Sequence, residues 1–139
     1  MGRIMSIDYG RKRVGLAVTD PLKIIATALD TVHAKDVIAY IEEYIKKEPI
    51  ELFVVGLPKN LDNSDAESMA DVKPFVKKLE KKFENIPVVW VDERFTSKIA
   101  MQAMIAAGVK KSDRRKKENT DKVSAVIILQ SYLESISLK

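Results

Sequence analysis

Four carboxylates stand where a predicted sheet would bring them together. Asp8 ends an apolar run that we predict to be the first strand, Asp92 and Glu93 close a later strand, and Asp121 lies in the predicted first turn of the last helix. Ligands of open α/β sheets collect beyond the carboxyl ends of the strands. Converging carboxylates repel one another, and Mg²⁺ or Mn²⁺, which prefer hard oxygen ligands, would relieve that repulsion. Such a site could activate water for phosphodiester cleavage.

Each of these acids also has an ordinary explanation. The helix dipole alone favours an acid such as Asp121 in a first turn. The Asp92-Glu93 pair could be a solvated strand end. Asp8 is harder to explain in this way, because it follows apolar residues in a central strand, where an unpaired carboxylate is costly.

Other catalytic chemistries are disfavoured by composition. The 139 residues include no cysteine and a single histidine, His33. Thiol nucleophiles and zinc ribbons are therefore excluded, and a Ser-His-Asp triad or a multi-histidine metal site is not expected. Any catalysis would rest on carboxylates, lysines or hydroxyls.

The positive charge is concentrated in one segment. The chain has 24 Lys and Arg against 20 Asp and Glu, a net charge of +4. A run from Val109 to Glu118 accounts for that excess and lies close to Asp121. A localised cationic segment is typical of contacts with a nucleic-acid backbone. Lys59 and Asn60, after Gly56-Leu57-Pro58, are further candidates for phosphate contacts. The basic residues of the Val109–Glu118 segment are Lys110, Lys111, Arg114, Arg115, Lys116 and Lys117.

Periodicity predicts the elements that must position these residues. Alternating and β-branched runs indicate strands, and apolar residues at helical spacing indicate helices. We predict strands over Arg3–Tyr9, Arg13–Thr19, Ile24–Val32, Leu52–Val55 and Val88–Val91. We predict helices over Asp36–Lys47, Ser64–Phe83, Thr96–Ala107 and Val123–Ile136.

The order βββαβαβαα predicts an α/β fold. Three closely spaced strands favour an antiparallel meander, and crossover helices imply parallel pairing for the later strands. We therefore expect a mixed five-stranded sheet with helices on its faces, in one domain over residues 1–139. Pro74 should kink or split its helix, and Asn119 or Thr120 would cap the last one. Trp90 is expected in the core.

No apolar run approaches the length of a membrane span, about 18 residues. The charge of Asp8 within the first apolar run disfavours a secretory signal. We expect a cytoplasmic protein with no membrane partner.

The chain resembles the YqgF/RuvX family, the Holliday junction resolvase-like proteins of bacteria. The resemblance covers almost the full length and rests on four motifs in the family's order. These are IDYGRKRVGLAVTD at Ile7–Asp20, VVGLPKN at Val54–Asn60, VDERFTS at Val91–Ser97 and DKVSAVIILQSYL at Asp121–Leu133.

The resemblance implies an RNase H-like fold and an acidic metal cluster at Asp8, Asp92, Glu93 and Asp121. Because strand residues alternate between faces, we favour Glu93 over Asp92 as the member that faces Asp8. The implied catalytic residues are Asp8, Glu93 and Asp121, and the implied cofactor is Mg²⁺ or Mn²⁺. Two departures, Leu61-Asp62-Asn63 where a glycine is frequent and Phe95 where leucine is usual, leave the acids untouched.

The implied activity is hydrolysis of phosphodiester bonds in structured nucleic acid, with 5′ maturation of pre-16S ribosomal RNA as the implied task. Two alternatives stay open: a Holliday junction (branched DNA) resolvase, and a non-catalytic nucleic-acid-binding factor in ribosome assembly. A nucleotide phosphotransferase with a similar first strand would need two such domains around ATP, so the length disfavours it. The sequence does not decide whether the partner is RNA or branched DNA. It also does not decide between a monomer and a homodimer.

Overall fold

The computed structural model describes residues 2–10, 12–57, 69–92 and 117–137. At 57, 69, 92, 117–123 and 137 it describes the backbone alone. The predicted helix Thr96–Ala107 lies outside these residues.

Five strands form one mixed sheet. They are β1 (Arg3–Tyr9), β2 (Arg13–Thr19), β3 (Ala26–His33), β4 (Ile50–Leu57) and β5 (Val88–Asp92). Their order across the sheet is β3-β2-β1-β4-β5. β2 lies antiparallel to both β1 and β3, whereas β1, β4 and β5 run parallel. The prediction of a mixed five-stranded sheet is confirmed.

Three described helices flank this sheet: α1 (Val37–Lys47), α2 (Met69–Lys82) and α3 (Lys117–Ser137). Among the described residues, no helix is long and apolar enough to cross a bilayer. The bounds of β1 and β2 agree with the prediction.

Other bounds differ from the predicted ones. β3 begins at Ala26 rather than Ile24, because the preceding residues form a hydrogen-bonded turn. β4 extends through Gly56 to Leu57, since both residues pair in register with β5. Asp36 is the N-cap of α1, without a side-chain cap hydrogen bond, rather than a first-turn residue.

The last two helices also depart from expectation. α3 begins at Lys117 and not near Val123, so Asn119 and Thr120 lie within it rather than capping it. Pro74 does not split α2, which is continuous around it. Pro74 and Ala70 are both exposed, so water can satisfy the carbonyl that the missing proline N–H leaves without a helical donor.

Each face of the sheet has its own core. On one face, Met5, Ile7 and Leu16 pack with residues of α1 and α2 such as Ile41 and Leu79. On the other face, smaller side chains pack against α3. They are Ile4, Ala17 and Val54 of the sheet with Ala125, Ile128 and Leu129 of the helix. Helices therefore cover both faces, and a ligand can reach the strands at their ends.

The turn between β1 and β2 requires glycine at position 10. A Cβ placed on Gly10 would lie 2.6 Å from the Arg13 carbonyl oxygen. That separation is shorter than any ordinary contact, and the neighbour is backbone. Gly10 is thus explained by the turn itself.

The turn between β2 and β3 is held by Asp20. Its Oδ1 accepts hydrogen bonds from the N–H groups of Ile24 and Ile25, at 2.8 and 2.9 Å. These bonds hold the pKa of the Asp20 carboxyl below its ordinary value. Lys23 has a φ of 60°, and its Nζ lies 2.6 Å from a carboxylate oxygen of Glu51.

Candidate active site

Asp8 lies near the carboxyl end of β1, on the face that α3 covers. Ile4 belongs to the core beneath α3, and Ser6 is hydrogen-bonded to that helix. Since alternate strand residues share a face, Asp8 follows them on the same side. Its side chain is half-buried. A central strand therefore carries a carboxylate on the α3 face, near the edge of the sheet.

Glycines flank Asp8 on both neighbouring strands. Asp8 pairs directly with Gly15 of β2. On the other side Ile7 pairs with Val55, so the next position of β4, level with Asp8, is Gly56. Glycine within a strand often marks a place where a ligand or another backbone approaches closely. The α3 face around Asp8 therefore has no side chain at either adjoining position.

A buried hydrogen bond joins β1 to α3 next to this place. The Ser6 Oγ–H donates to the Ala125 carbonyl oxygen at 2.6 Å, and both residues are fully buried. Ser6 is two residues before Asp8 in the strand. The bond therefore shows which residue of α3 lies level with Ser6 in the strand that carries the acid.

The direction of α3 follows from contacts farther along it. Leu133 lines a surface groove together with Ala26. Ala26 pairs with Thr19, whose Oγ1 accepts a hydrogen bond from the Ile4 N–H at 3.0 Å. The later part of α3 thus lies over the amino end of β1, so the helix runs antiparallel to that strand.

The backbone of Asp121 consequently lies toward the carboxyl end of β1. Asp121 is one helical turn before Ala125, about 6 Å along the helix. Asp8 is two residues after Ser6, about 7 Å along the strand. Both acids are therefore displaced in the same direction from the Ser6–Ala125 bond. Asp121 stands in the second turn of α3 rather than its first, so the dipole of a first turn does not account for it.

The parallel strands bring Asp92 to the same edge. Asp92 pairs with Leu57, one position beyond the Gly56–Val91 pair that is level with Asp8. One strand separates β1 from β5, which places their backbones about 10 Å apart. Glu93 lies outside the described residues. Among the side chains that are described, no three His, Asp or Glu residues converge, and three of the four predicted acids fall outside that set.

The opposite face of this edge is closed by an aromatic pair. The rings of Tyr9 and Phe75 are stacked, with centroids 4.3 Å apart and planes at 19°. Burial, and to a lesser degree the charge of Asp71, raises the pKa of the Tyr9 hydroxyl. Tyr9 therefore stays protonated at neutral pH, on the face of the sheet opposite to that of Asp8.

The residues predicted to contact nucleic acid fall mostly outside the described part of the chain. Lys117 is the first residue of α3, described in its backbone alone. The others, Lys59, Asn60, Lys110, Lys111, Arg114, Arg115 and Lys116, lie outside the described residues.

Three features of the site were missed in the sequence. The tripeptide Val-Gly-Leu occurs twice, around Gly15 and Gly56, and its repetition could have indicated that both glycines flank one position. Ser6 gave no signal, because a single serine in an apolar run is common. Trp90, expected in the core, is 37% exposed on the edge strand β5.

Comparison with known proteins gives one family. Residues 2–135 match the sequence profile of the family RuvX, described as Holliday junction resolvase. A relative from Porphyromonas gingivalis is 52% identical over 97% of this chain and 98% of its own. Another, from Phocaeicola vulgatus, is 53% identical over 97% of both chains. Both relatives carry the provisional name pre-16S rRNA nuclease.

A solved structure supports the fold. Thermus thermophilus RuvC, in complex with a Holliday junction substrate, superposes with a TM-score of 0.59 at 16% identity. The match covers 97% of this chain and 96% of the other. The mixed sheet with helices on both faces is accordingly an RNase H-like fold. With a match across nearly the whole sequence and relatives at about half identity, the chain belongs to the RuvX family.

Proposed function

We propose that the protein is a divalent-metal-dependent nuclease that hydrolyses phosphodiester bonds of structured RNA, in 5′ maturation of pre-16S ribosomal RNA. One observation carries the proposal: Asp8 stands at the carboxyl edge of a central strand, between two glycine positions and beneath α3. Family membership and the names of the relatives agree with it.

The donor set suits Mg²⁺ or Mn²⁺. The residues that would hold the metal are Asp8, Asp92, Glu93 and Asp121, all with hard carboxylate oxygens. When bound, the metal would activate water and stabilise the charge on the leaving oxygen. Asp8 is the described side chain of this set, and it is half-buried rather than solvated. Partial burial strengthens its interaction with a cation.

The chain's own residues would orient the substrate. Gly15 and Gly56 leave room for a phosphodiester to approach the strand ends on the α3 side. The basic segment 109–118 precedes Asp121 in the sequence. Its cations, with Lys59 and Asn60, would neutralise and position the phosphates that flank the scissile one.

Strand parity supports Glu93 as the closer partner of Asp8. Val91 packs in the core beneath α3, on the face that Asp8 shares. If the strand continued by one residue beyond Asp92, the face of Val91 would be shared by position 93. Asp92 has the opposite parity, so we expect it to contribute less. The catalytic residues are then Asp8, Glu93 and Asp121.

The decisive variant is Asp8→Asn, which keeps the shape and removes the charge. Purified protein is incubated in the presence of Mg²⁺ or Mn²⁺ with one substrate at a time. The substrates are precursor ribosomal RNA, single-stranded RNA and a four-way DNA junction. We expect cleavage of the precursor and a fall in kcat of at least about 100-fold in Asp8→Asn, as for loss of a group that stabilises transition-state charge. Binding should be retained.

Asp36→Asn is the matched control, because Asp36 is exposed and makes no side-chain cap hydrogen bond. Full activity of Asp8→Asn, or cleavage that survives EDTA, would overturn the metal–carboxylate mechanism. Preferred cleavage of the DNA junction would instead favour a resolvase, and binding of precursor RNA without cleavage would favour an assembly factor. A ribosomal RNA substrate places the expected reaction in the cytoplasm.

A further inference from the structure

The Ser6–Ala125 hydrogen bond lies between the two elements that carry Asp8 and Asp121. At 2.6 Å it is short, and it joins residues 119 positions apart in the sequence. Ser6 is fully buried, so its hydroxyl has no water to replace the helix carbonyl. The bond therefore has one geometry in which it is satisfied.

Small side chains lie on the β2 side and the helix side of this bond, and Val54 of β4 lies on the other side. Ala17, the cross-strand partner of Ser6, is fully buried, as is Ala125. Small residues let a helix approach a sheet closely, while the larger Ile128 and Leu129 fill the core farther along α3. Apolar packing tolerates small sliding movements of a helix, whereas a hydrogen bond to one carbonyl does not.

We infer that Ser6 is a positioning residue that holds the first turns of α3 at the level where Asp121 meets the carboxyl edge of β1. The inference rests on the proposed function, because it concerns the spacing of the acids that would bind the metal. Ser6 touches neither metal nor substrate in this scheme. It acts through Ala125 and the helical turn between Ala125 and Asp121.

The test compares two buried hydroxyls that bond at different levels of the sheet: Ser6, in the middle of β1, and Thr19 of β2, beside the amino end of β1. Ser6→Ala removes the hydroxyl that bonds to α3 and keeps the Cβ. Thr19→Val is the matched control. Thr19 is also fully buried, and it accepts a hydrogen bond from the Ile4 N–H at the end of β1 remote from Asp8. Its loss leaves a backbone donor unpaired, so it should cost at least as much stability.

Mn²⁺ affinity is the decisive measurement, because a loss of stability alone would leave it unchanged. Electron paramagnetic resonance gives the Mn²⁺ dissociation constant of each variant without substrate, and thermal melting gives Tm. The Mn²⁺ dependence of cleavage is measured below both melting transitions. For Ser6→Ala we expect the dissociation constant to rise about 3–10-fold, less than the range typical of groups bonded directly to a metal ligand. High Mn²⁺ should recover part of the lost activity.

Thr19→Val should lower Tm at least as far and leave Mn²⁺ affinity unchanged. Wild-type Mn²⁺ affinity in Ser6→Ala, or an equal loss in Thr19→Val, would overturn the positioning role while the nuclease proposal stands. Absence of both Mn²⁺ binding and cleavage in the wild-type protein would overturn the proposed function itself, and the inference with it.

Discussion

Asp8 and Gly15 are direct partners across the antiparallel pair of β1 and β2. Side chains at such opposed positions have Cβ atoms about 4.5–5.5 Å apart. A glycine there removes the neighbour that would otherwise cover the carboxylate. The missing cross-strand side chain beside Asp8 is thus a property of the sheet register, set by residues distant in sequence from the predicted basic segment.

Adding a side chain at position 15, opposite Asp8, should impair the candidate metal site. In Gly15→Val a branched side chain would stand next to Asp8 on the face covered by α3. We expect cleavage and Mn²⁺ affinity each to fall at least about 10-fold, since small displacements of reacting groups have effects of this size or larger. Gly15→Ala should lie between the wild type and Gly15→Val. Unchanged Mn²⁺ affinity in Gly15→Val would show that Mn²⁺ binding does not need a glycine opposite Asp8.

The basic segment should govern the salt dependence of nucleic-acid binding. Replacing its cations by glutamine should weaken binding and reduce the slope of log Kd against log salt by about 0.7–0.9 for each phosphate that the protein no longer neutralises. Exposed lysines of α2, Lys77, Lys78 and Lys81, serve as a control for charge removed elsewhere. A slope that falls equally per charge in both sets would reduce the segment to a solvated charge run. The residues to replace are Lys110, Lys111, Arg114, Arg115, Lys116 and Lys117.

Asp20 should contribute to stability in a pH-dependent way. Its pKa is lowered in the folded state, mainly by the N–H groups of Ile25 and Ile24. The contribution is therefore present above the unfolded-state pKa and is lost as pH falls through the lower folded-state pKa. Asp20→Ala should reduce Tm at neutral pH, and the difference from the wild type should shrink on acidification. A difference independent of pH would mean that the charge does not matter.

Gly10→Ala should destabilise the hairpin between β1 and β2. The added Cβ would meet the Arg13 carbonyl oxygen at 2.6 Å, so backbone must move. Overpacking of this kind costs about 1–3 kcal/mol, which denaturant unfolding resolves. Lys12→Ala, at an exposed position of the same turn, should be nearly neutral. Equal stability of the two variants would contradict the close approach.

Local patterns sufficed for the bounds of β1 and β2 and not for the start of α3. β1 and β2 alternate strongly and are bounded by clear turn residues, so Arg3–Tyr9 and Arg13–Thr19 were predicted correctly. The start of α3 was not, because residues 117–120 are polar and include two good cap residues. In the folded chain they extend the helix beyond its apolar part.

The residue types of the candidate site can be read from the sequence, whereas its geometry cannot. Asp8 could be placed at a strand end because the strand itself was clear. The level of Asp121 could not be predicted, since it follows from how α3 packs on β1, where Ser6 and Ala125 meet although they are 119 positions apart. Gly15 and Gly56 belong to strands on either side of β1, and their adjacency to Asp8 appears only when the strand order is known.

That long separation also orders events during synthesis. β1 precedes α3 by more than 100 residues in the sequence, so it is synthesised well before that helix. A nascent chain that lacks α3 exposes the apolar face of β1, β2 and β4 and has no partner for the Ser6 hydroxyl. Native contacts between distant segments also slow folding, because a long loop must close first. If the acids act as proposed, the nuclease site can be completed only after α3 has left the ribosome.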